Sequence, residues 1–143
     1  MRRARHEGGQ ALIEAALTIP IVLLIAVGIF EFGRAYQTWE ILTNAAREGA
    51  RVSILPGADP DAVTGVVRAY MQGGRLGKYA TAEVVVNRAA SITVNGNPVS
   101  ASQVTINYPF EFMVLKPVAS LIRSGTAPGD PITMQASALM RNE

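Results

Sequence analysis

The chain has 143 residues, of which 49% are hydrophobic, and this length suits one modest domain with an anchor. It has no cysteine, which excludes disulfides, thiolate metal sites and cysteine nucleophiles. The net charge of +2 arises within residues 1–9, which hold three arginines and one glutamate. The rest is neutral overall and lacks the basic excess that nucleic-acid binding requires.

Residues 1–9 are predicted to be a short basic leader, and their arginines favour a cytoplasmic location for this end. The small pair Gly8-Gly9 precedes the apolar stretch, whereas a secretory signal peptide is cut after its apolar region. A cut at this pair would leave the apolar stretch on the mature protein. Without a cut, the same stretch would be an uncleaved signal anchor, and the residues alone leave both interpretations open.

Residues 11–30 are apolar apart from Glu14 and Thr18. As a helix they would extend about 30 Å, the thickness of a bilayer core, so we predict a membrane-spanning helix. Pro20 lies inside this run and is tolerated in membranes, where neighbouring groups satisfy the freed carbonyl. The charged carboxylate of Glu14 raises the free energy of a helix placed in apolar surroundings. It lies at the headgroup level without a role, or it pairs with a cation in an assembly.

The helix is predicted to cover residues 10–55 and so to continue outside the membrane. Apolar side chains recur there at steps of three and four, and this stripe consists of Phe32, Tyr36, Trp39, Leu42, Ala46 and Ala50. We expect the stripe to pack on the protein's own C-terminal domain. Tyr36 and Trp39 follow the apolar run where aromatic belts form, and we predict that they are interface aromatics. Gly49 weakens the last helical turn.

Residues 56–143 are predicted to form a small extracytoplasmic α+β domain. Asp59-Pro60 is typical of a helix start, and Gly73-Gly74 ends that short second helix. A change of period then predicts an antiparallel sheet, with strand-forming stretches at 81–87, 91–94, 103–108 and 132–140 and a turn at 95–98. Residues 110–121 are predicted to be a loop or short helix, and 125–131 a turn-rich connection.

Catalytic and ligand-binding patterns are missing from the sequence. The single histidine, His6, lies in the leader, and no residues have the spacing of a metal site or a phosphate-binding loop. We therefore predict a protein that is not an enzyme, with no catalytic residues, cofactor, metal or small-molecule substrate. A hairpin at 92–99 and three aromatic residues, Tyr108, Phe110 and Phe112, are expected to serve core packing rather than ligand binding.

Three stretches together resemble the TadE-like family of the Tad branch of type IV pili. They are GQALIEAAL at residues 9–17, running on to Pro20, then FEFGRA at 30–35 and NAAREGAR at 44–51. The tail at residues 140–143, which follows an alternating strand, is also similar to the family. The resemblance implies a pilin-like fold and a minor pilin or pseudopilin of the Tad (type IVc, Flp) system, which serves in pilus assembly, secretion and cell adhesion.

The resemblance also implies processing and partners. A prepilin peptidase would cut between Gly9 and Gln10, and Glu14 would be the pilin glutamate, five residues into the mature protein. The expected partners are the inner membrane, other pilins and pilus-assembly platform proteins. The N-terminus would be cytoplasmic and the C-terminal domain outside, in a single-pass protein that is a candidate for incorporation into the pilus.

Two features depart from the wider pilin pattern. Gln10 stands where many type IV pilins have phenylalanine, and the chain is longer than Tad major pilins, which favours an accessory subunit. The alternative function is an uncleaved single-pass envelope protein that scaffolds a secretion or adhesion complex. A third, more distant, is a membrane-anchored enzyme.

Overall fold

The fold is seen in a computed structural model that describes residues 4–120 and 131–142. The described residues form helices α1 (Ala4–Ser53), α2 (Pro60–Gly73) and α3 (Leu115–Ser120), and strands β1 (Glu83–Val94), β2 (Asn97–Phe110) and β3 (Ile132–Arg141). The predicted α+β class is confirmed, with a long N-terminal helix, a short second helix and a small antiparallel sheet. The connection predicted at 125–131 lies outside the described residues except for Pro131.

Helix α1 is continuous through Pro20 and ends at Ser53. It begins at Ala4, so the described part of the basic leader is helical too. Within the part of the chain that the structure describes, α1 is the one helix long and apolar enough to cross a membrane, with a mean hydropathy of 2.5 over its apolar window. No residue in the most apolar stretch of this helix is buried by the rest of the described chain.

The chain divides into two compact units. Among the described residues, one comprises 4–34 with 112–120, and the other comprises 35–111 with 131–142. Helix α1 therefore contributes residues 4–34, here called its apolar half, to the first unit and residues 35–53, here called its outer half, to the second. The division at residues 9 and 55 that the sequence suggested stays a prediction.

The second unit has the hydrophobic core. Its largest fully buried side chains come from α1, α2 and β2: Leu42, Val63, Val67, Met71, Val104 and Ile106. Three residues of the predicted α1 stripe are buried, namely Leu42, Ala46 and Ala50. The other three, Phe32, Tyr36 and Trp39, are exposed, so the expected packing on the C-terminal domain holds only from Leu42 onward.

Gly49 marks a close approach between the outer half of α1 and two other elements. A Cβ at this position would lie 2.5 Å from Val67 Cγ2 on α2 and 3.2 Å from Val104 Cγ1 on β2. The adjoining Ala45, Ala46 and Ala50 are fully buried. Small side chains at these positions let the helix backbone reach the core, as close packing requires.

Helix α2 begins and ends as predicted. Asp59 has an extended backbone, and its side chain accepts a hydrogen bond from the Asp61 N–H at 3.2 Å. Pro60 occupies the first turn, where its missing N–H has no cost, and Gly74 is the C-cap. These end signals fix the short helix whose apolar face covers the core.

The sheet has the order β1-β2-β3 and is antiparallel throughout. A two-residue turn joins the first two strands, with positive φ of 50° at Asn95 and 82° at Gly96, the geometry that this pair of residues favours. The stretches predicted at 81–87 and 91–94 are one strand, β1, with a register irregularity between Asn87 and Ala90. Strand β2 starts at Asn97, earlier than predicted, because it pairs along the whole hairpin.

Candidate assembly helix

The predicted processing and assembly residues lie on the exposed surface of α1. Gly9, Gln10, Glu14 and Pro20 are all helical and exposed. No ion pair to Glu14 occurs among the side chains that the structure describes, which begin at Gly9. Its carboxylate is thus open to a partner outside that set.

The turn between Glu14 and Pro20 has a locally altered hydrogen-bond ladder. The Thr18 hydroxyl donates to the Glu14 carbonyl oxygen at 2.8 Å, a side-chain bond of the kind that bends helices. Two residues later Pro20 has no N–H to donate, so the carbonyl one turn before it loses its usual partner. The two features weaken the same part of the apolar run.

An apolar groove lies beside the apolar half of α1 in the first unit. It has a volume of about 370 Å³, and its lining residues are Pro20, Leu23, Leu24, Val27 and Leu115. Four of them belong to the apolar run, whereas Leu115 begins α3. A distant part of the chain therefore lies next to the predicted membrane span.

Glu31 is the buried acid of the helix, and sequence reasoning missed its role. It follows the apolar run directly and is 0% exposed. Its Oε1 accepts the backbone N–H of Val114 at 2.5 Å and that of Leu115 at 3.4 Å, while Arg34 Nη1 lies 2.7 Å from Oε2. The only signal in the sequence was an acid between two aromatic residues at the end of an apolar run.

These contacts keep the Glu31 carboxylate ionised. Burial alone raises the pKa of a carboxyl group. The backbone donors of Val114 and Leu115, with the charge of Arg34, outweigh the effect of burial and hold the pKa of Glu31 below its ordinary value of 4.5. We call the triad of Glu31, Val114 and Leu115 the outer tether, because it fixes residues 114 and 115 to α1.

The predicted interface aromatics lie on the outer half of α1, in the second unit. Tyr36 and Trp39 are both exposed, and their ring centroids are 6.3 Å apart with an interplanar angle of 41°. A hydrogen bond to Glu40 raises the pKa of the Tyr36 phenol. Two amphipathic rings side by side suit a membrane–water interface, although that location stays a prediction.

The remaining candidates from the sequence do not form a site within the described residues. Tyr108 and Phe110 are buried in the core, as expected, and the Tyr108 hydroxyl accepts the Lys78 N–H at 3.3 Å. Phe112, which was expected to pack in the core as well, is only half-buried. No group of three or more histidine, aspartate or glutamate residues is placed to hold a metal ion in the described ranges. The distinctive geometry is therefore that of the helix and its tether.

Comparison with known proteins agrees with this emphasis on the helix. The family model described as TadE-like protein matches residues 9–51. Comparisons with curated proteins and with solved structures gave no match. The matched residues include the apolar run, the Glu31–Arg34 pair and the close-packed Gly49. Residues 9–51 are therefore a TadE-like segment, as the sequence resemblance indicated.

Proposed function

We propose that this chain is a pilin-like structural subunit that is inserted in the membrane and takes part in assembling a Tad-type pilus. The observation that carries the proposal is the TadE-like match over a helix whose apolar half is uncovered. Such a helix fits a membrane-anchored protein. We infer a minor pilin or pseudopilin, in the inner membrane, with a cytoplasmic N-terminus and the sheet domain outside.

Processing supplies the charge that assembly needs. A prepilin peptidase cuts between Gly9 and Gln10 and frees an α-ammonium group at Gln10. Glu14 lies four residues further on, about 6 Å along the helix axis. An unpaired acid in a membrane helix costs about 2.5–3.5 kcal/mol at the bilayer centre and less near the end of the run, where Glu14 lies. A cation from a neighbouring subunit would offset this cost and stabilise the packed state. The weakened turn before Pro20 permits local bending as the subunit leaves the bilayer.

The proposed partners follow from this mechanism. They are the lipid bilayer, other pilins, the proteins of the assembly platform and the prepilin peptidase. The role is structural rather than enzymatic, since the TadE-like family is one of pilus structure and assembly. The alternative, an uncleaved envelope scaffold, shares the membrane helix but requires no cut and no role for Glu14.

Intact-mass measurement on the purified protein, from cells with and without the peptidase, tests the cut. We expect residues 1–9 to be absent only when the peptidase is present. A protein that still begins at Met1 in peptidase-containing cells would favour the uncleaved scaffold.

Substitution of Glu14 tests the assembly role. Glu14→Ala should leave membrane insertion intact and lower the amount of this chain that co-sediments with sheared pili, because the ammonium loses its partner. Glu14→Gln keeps the shape without the charge and should have the same defect. Leu17→Ala, a change to an exposed uncharged residue one turn away, is the matched control. Normal co-sedimentation of both Glu14 variants would remove the carboxylate from the mechanism.

A further inference from the structure

We propose that residues 112–117 form a second membrane contact, an apolar segment that enters the outer leaflet beside α1 and contacts lipid acyl chains there. We call these residues the tethered segment. The inference rests on the membrane-inserted helix of the proposed function but goes beyond it. The observations that carry it are the outer tether, the apolar groove and the exposure of the segment's side chains.

The outer tether sets the position of the segment along the helix. Glu31 is the first charged residue after the apolar run, so it marks the outer end of the hydrophobic span. Its carboxylate holds the N–H groups of Val114 and Leu115. Glu31 and these two residues belong to the same compact unit. The start of the tethered segment therefore lies at the boundary between headgroups and hydrocarbon.

The apolar groove sets the depth. Leu115 lines it with Val27 and with residues as far back as Pro20. At 1.5 Å per residue, Val27 lies about 6 Å and Pro20 about 16 Å inward of Glu31 along the axis. A helix that crosses the bilayer carries these positions within the hydrocarbon region. Leu115, which faces them, is then below the headgroup level as well.

The composition of the tethered segment suits lipid better than water. It has the sequence FMVLKP, in which Lys116 is the one charge. Met113 is 61% exposed, and Val114 and Leu115 are partly exposed. Lysine near the interface extends its ammonium group to the headgroups while its stem stays in apolar surroundings. Contact with lipid would remove these exposed apolar side chains from water and is therefore favourable.

The backbone of the segment also fits this location. Lipid offers no hydrogen bonds, so a loop enters a bilayer only where its polar groups have partners. Glu31 accepts the N–H groups of Val114 and Leu115, where α3 begins, so these two donors have a partner. The Glu31 carboxylate thus lowers the cost of placing this backbone at the edge of the hydrocarbon region.

Lipid acyl chains are the expected occupant of the groove, because the groove is continuous with the lipid-facing surface of the membrane span. Four of the five groove residues belong to the span itself, so the groove opens on the surface that already faces acyl chains. A neighbouring subunit seated on the groove would instead exclude lipid from Met113. This difference makes the occupant measurable.

Fluorescence quenching in vesicles tests the proposal with the full chain. Because the chain has no cysteine, single-cysteine variants can be labelled uniquely with an environment-sensitive dye. The test site is Met113→Cys, the span control is Leu24→Cys, and the aqueous control is Val85→Cys on an exposed sheet position. Vesicles of phosphatidylethanolamine and phosphatidylglycerol contain nitroxide lipids, with the nitroxide near the headgroup or deep in the chain, and iodide is the aqueous quencher.

We expect the label at 113 to lose most of its fluorescence with the shallow nitroxide lipid and little with iodide. The label at 24 should respond to the deep nitroxide, and that at 85 to iodide. If 113 responds to iodide as 85 does, or to neither quencher, while 24 responds to lipid, the tethered segment does not contact lipid and the proposal is wrong. If 24 also responds to iodide, the membrane span of the proposed function is wrong.

A second variant tests the tether. Glu31→Ala combined with Met113→Cys should shift the label from lipid quenching to iodide quenching, since the backbone N–H groups lose their acceptor. Asp61→Ala, which removes an exposed acid on α2, is the matched control and should leave the quenching unchanged. Unchanged lipid quenching in the Glu31→Ala protein would contradict the assignment of Glu31 as the anchor of the segment.

Discussion

Gly49→Ala should destabilise the second unit, although alanine is the better helix former. The added Cβ meets Val67 Cγ2 at 2.5 Å and Val104 Cγ1 at 3.2 Å. The first distance is shorter than any normal contact, so atoms must move. Val67 is β-branched and lies in α2, where valine has essentially one χ1 rotamer, so its methyl group does not rotate away. The helix backbones must therefore separate.

Two opposing terms set the size of the effect. Replacing glycine by alanine inside a helix gains about 0.8–1.0 kcal/mol. Adding a carbon to a well-packed core costs about 1–3 kcal/mol. The stiffness of Val67 places this site at the upper end of that range, so we expect a net loss of about 1–2 kcal/mol. For a unit of this size, each kcal/mol lowers the melting temperature by about 4–8 °C.

Urea unfolding of the full chain in mild detergent, followed by far-UV circular dichroism, measures the change. Gly65→Ala is the matched control, because Gly65 is an exposed helical glycine with nothing within 4 Å of an added Cβ. It should gain about 0.5–1 kcal/mol. Combining Gly49→Ala with Val67→Ala should recover part of the packing cost, since the clashing methyl group is gone. If Gly49→Ala is as stabilising as Gly65→Ala, the close approach is not real.

Two further predictions concern the helix cap and the outer tether. Asp59→Ala should lower the free energy of unfolding by about 0.5–2 kcal/mol in the same assay, whereas Asp59→Asn, which keeps an acceptor for the Asp61 N–H, should change it little. The depressed pKa of Glu31 makes the tether fully effective above pH 4.5 and weakens it as the pH falls through the lower folded-state value. Acid titration of a dye at Met113→Cys in vesicles should therefore show a transition below pH 4.5 that is absent when Glu31→Gln is added; a transition that persists would assign it to another group.

The sequence patterns predicted most of the elements because their signals are local. The apolar run, the cap at Asp59 and the alternation in the strands each depend on neighbours within a few residues. Glu31 could not be predicted in this way, since its partners Val114 and Leu115 lie more than eighty residues away. Gly49 was assessed only as a weak helix former, because the sequence does not reveal which side chains approach it.

The two acids of the TadE-like segment differ in how their charge is compensated, and this difference bears on assembly. Glu31 is surrounded by donors from its own chain, so its carboxylate is already satisfied before any subunit meets another. Glu14 has no ion pair among the described side chains and lies on the exposed surface of the apolar run. In a low-dielectric environment an unpaired carboxylate is costly, and a cation, hydrogen-bond donors or protonation reduces that cost. Glu31 therefore suits a role within the subunit, whereas in the proposed function the carboxylate of Glu14 is left for contacts between subunits.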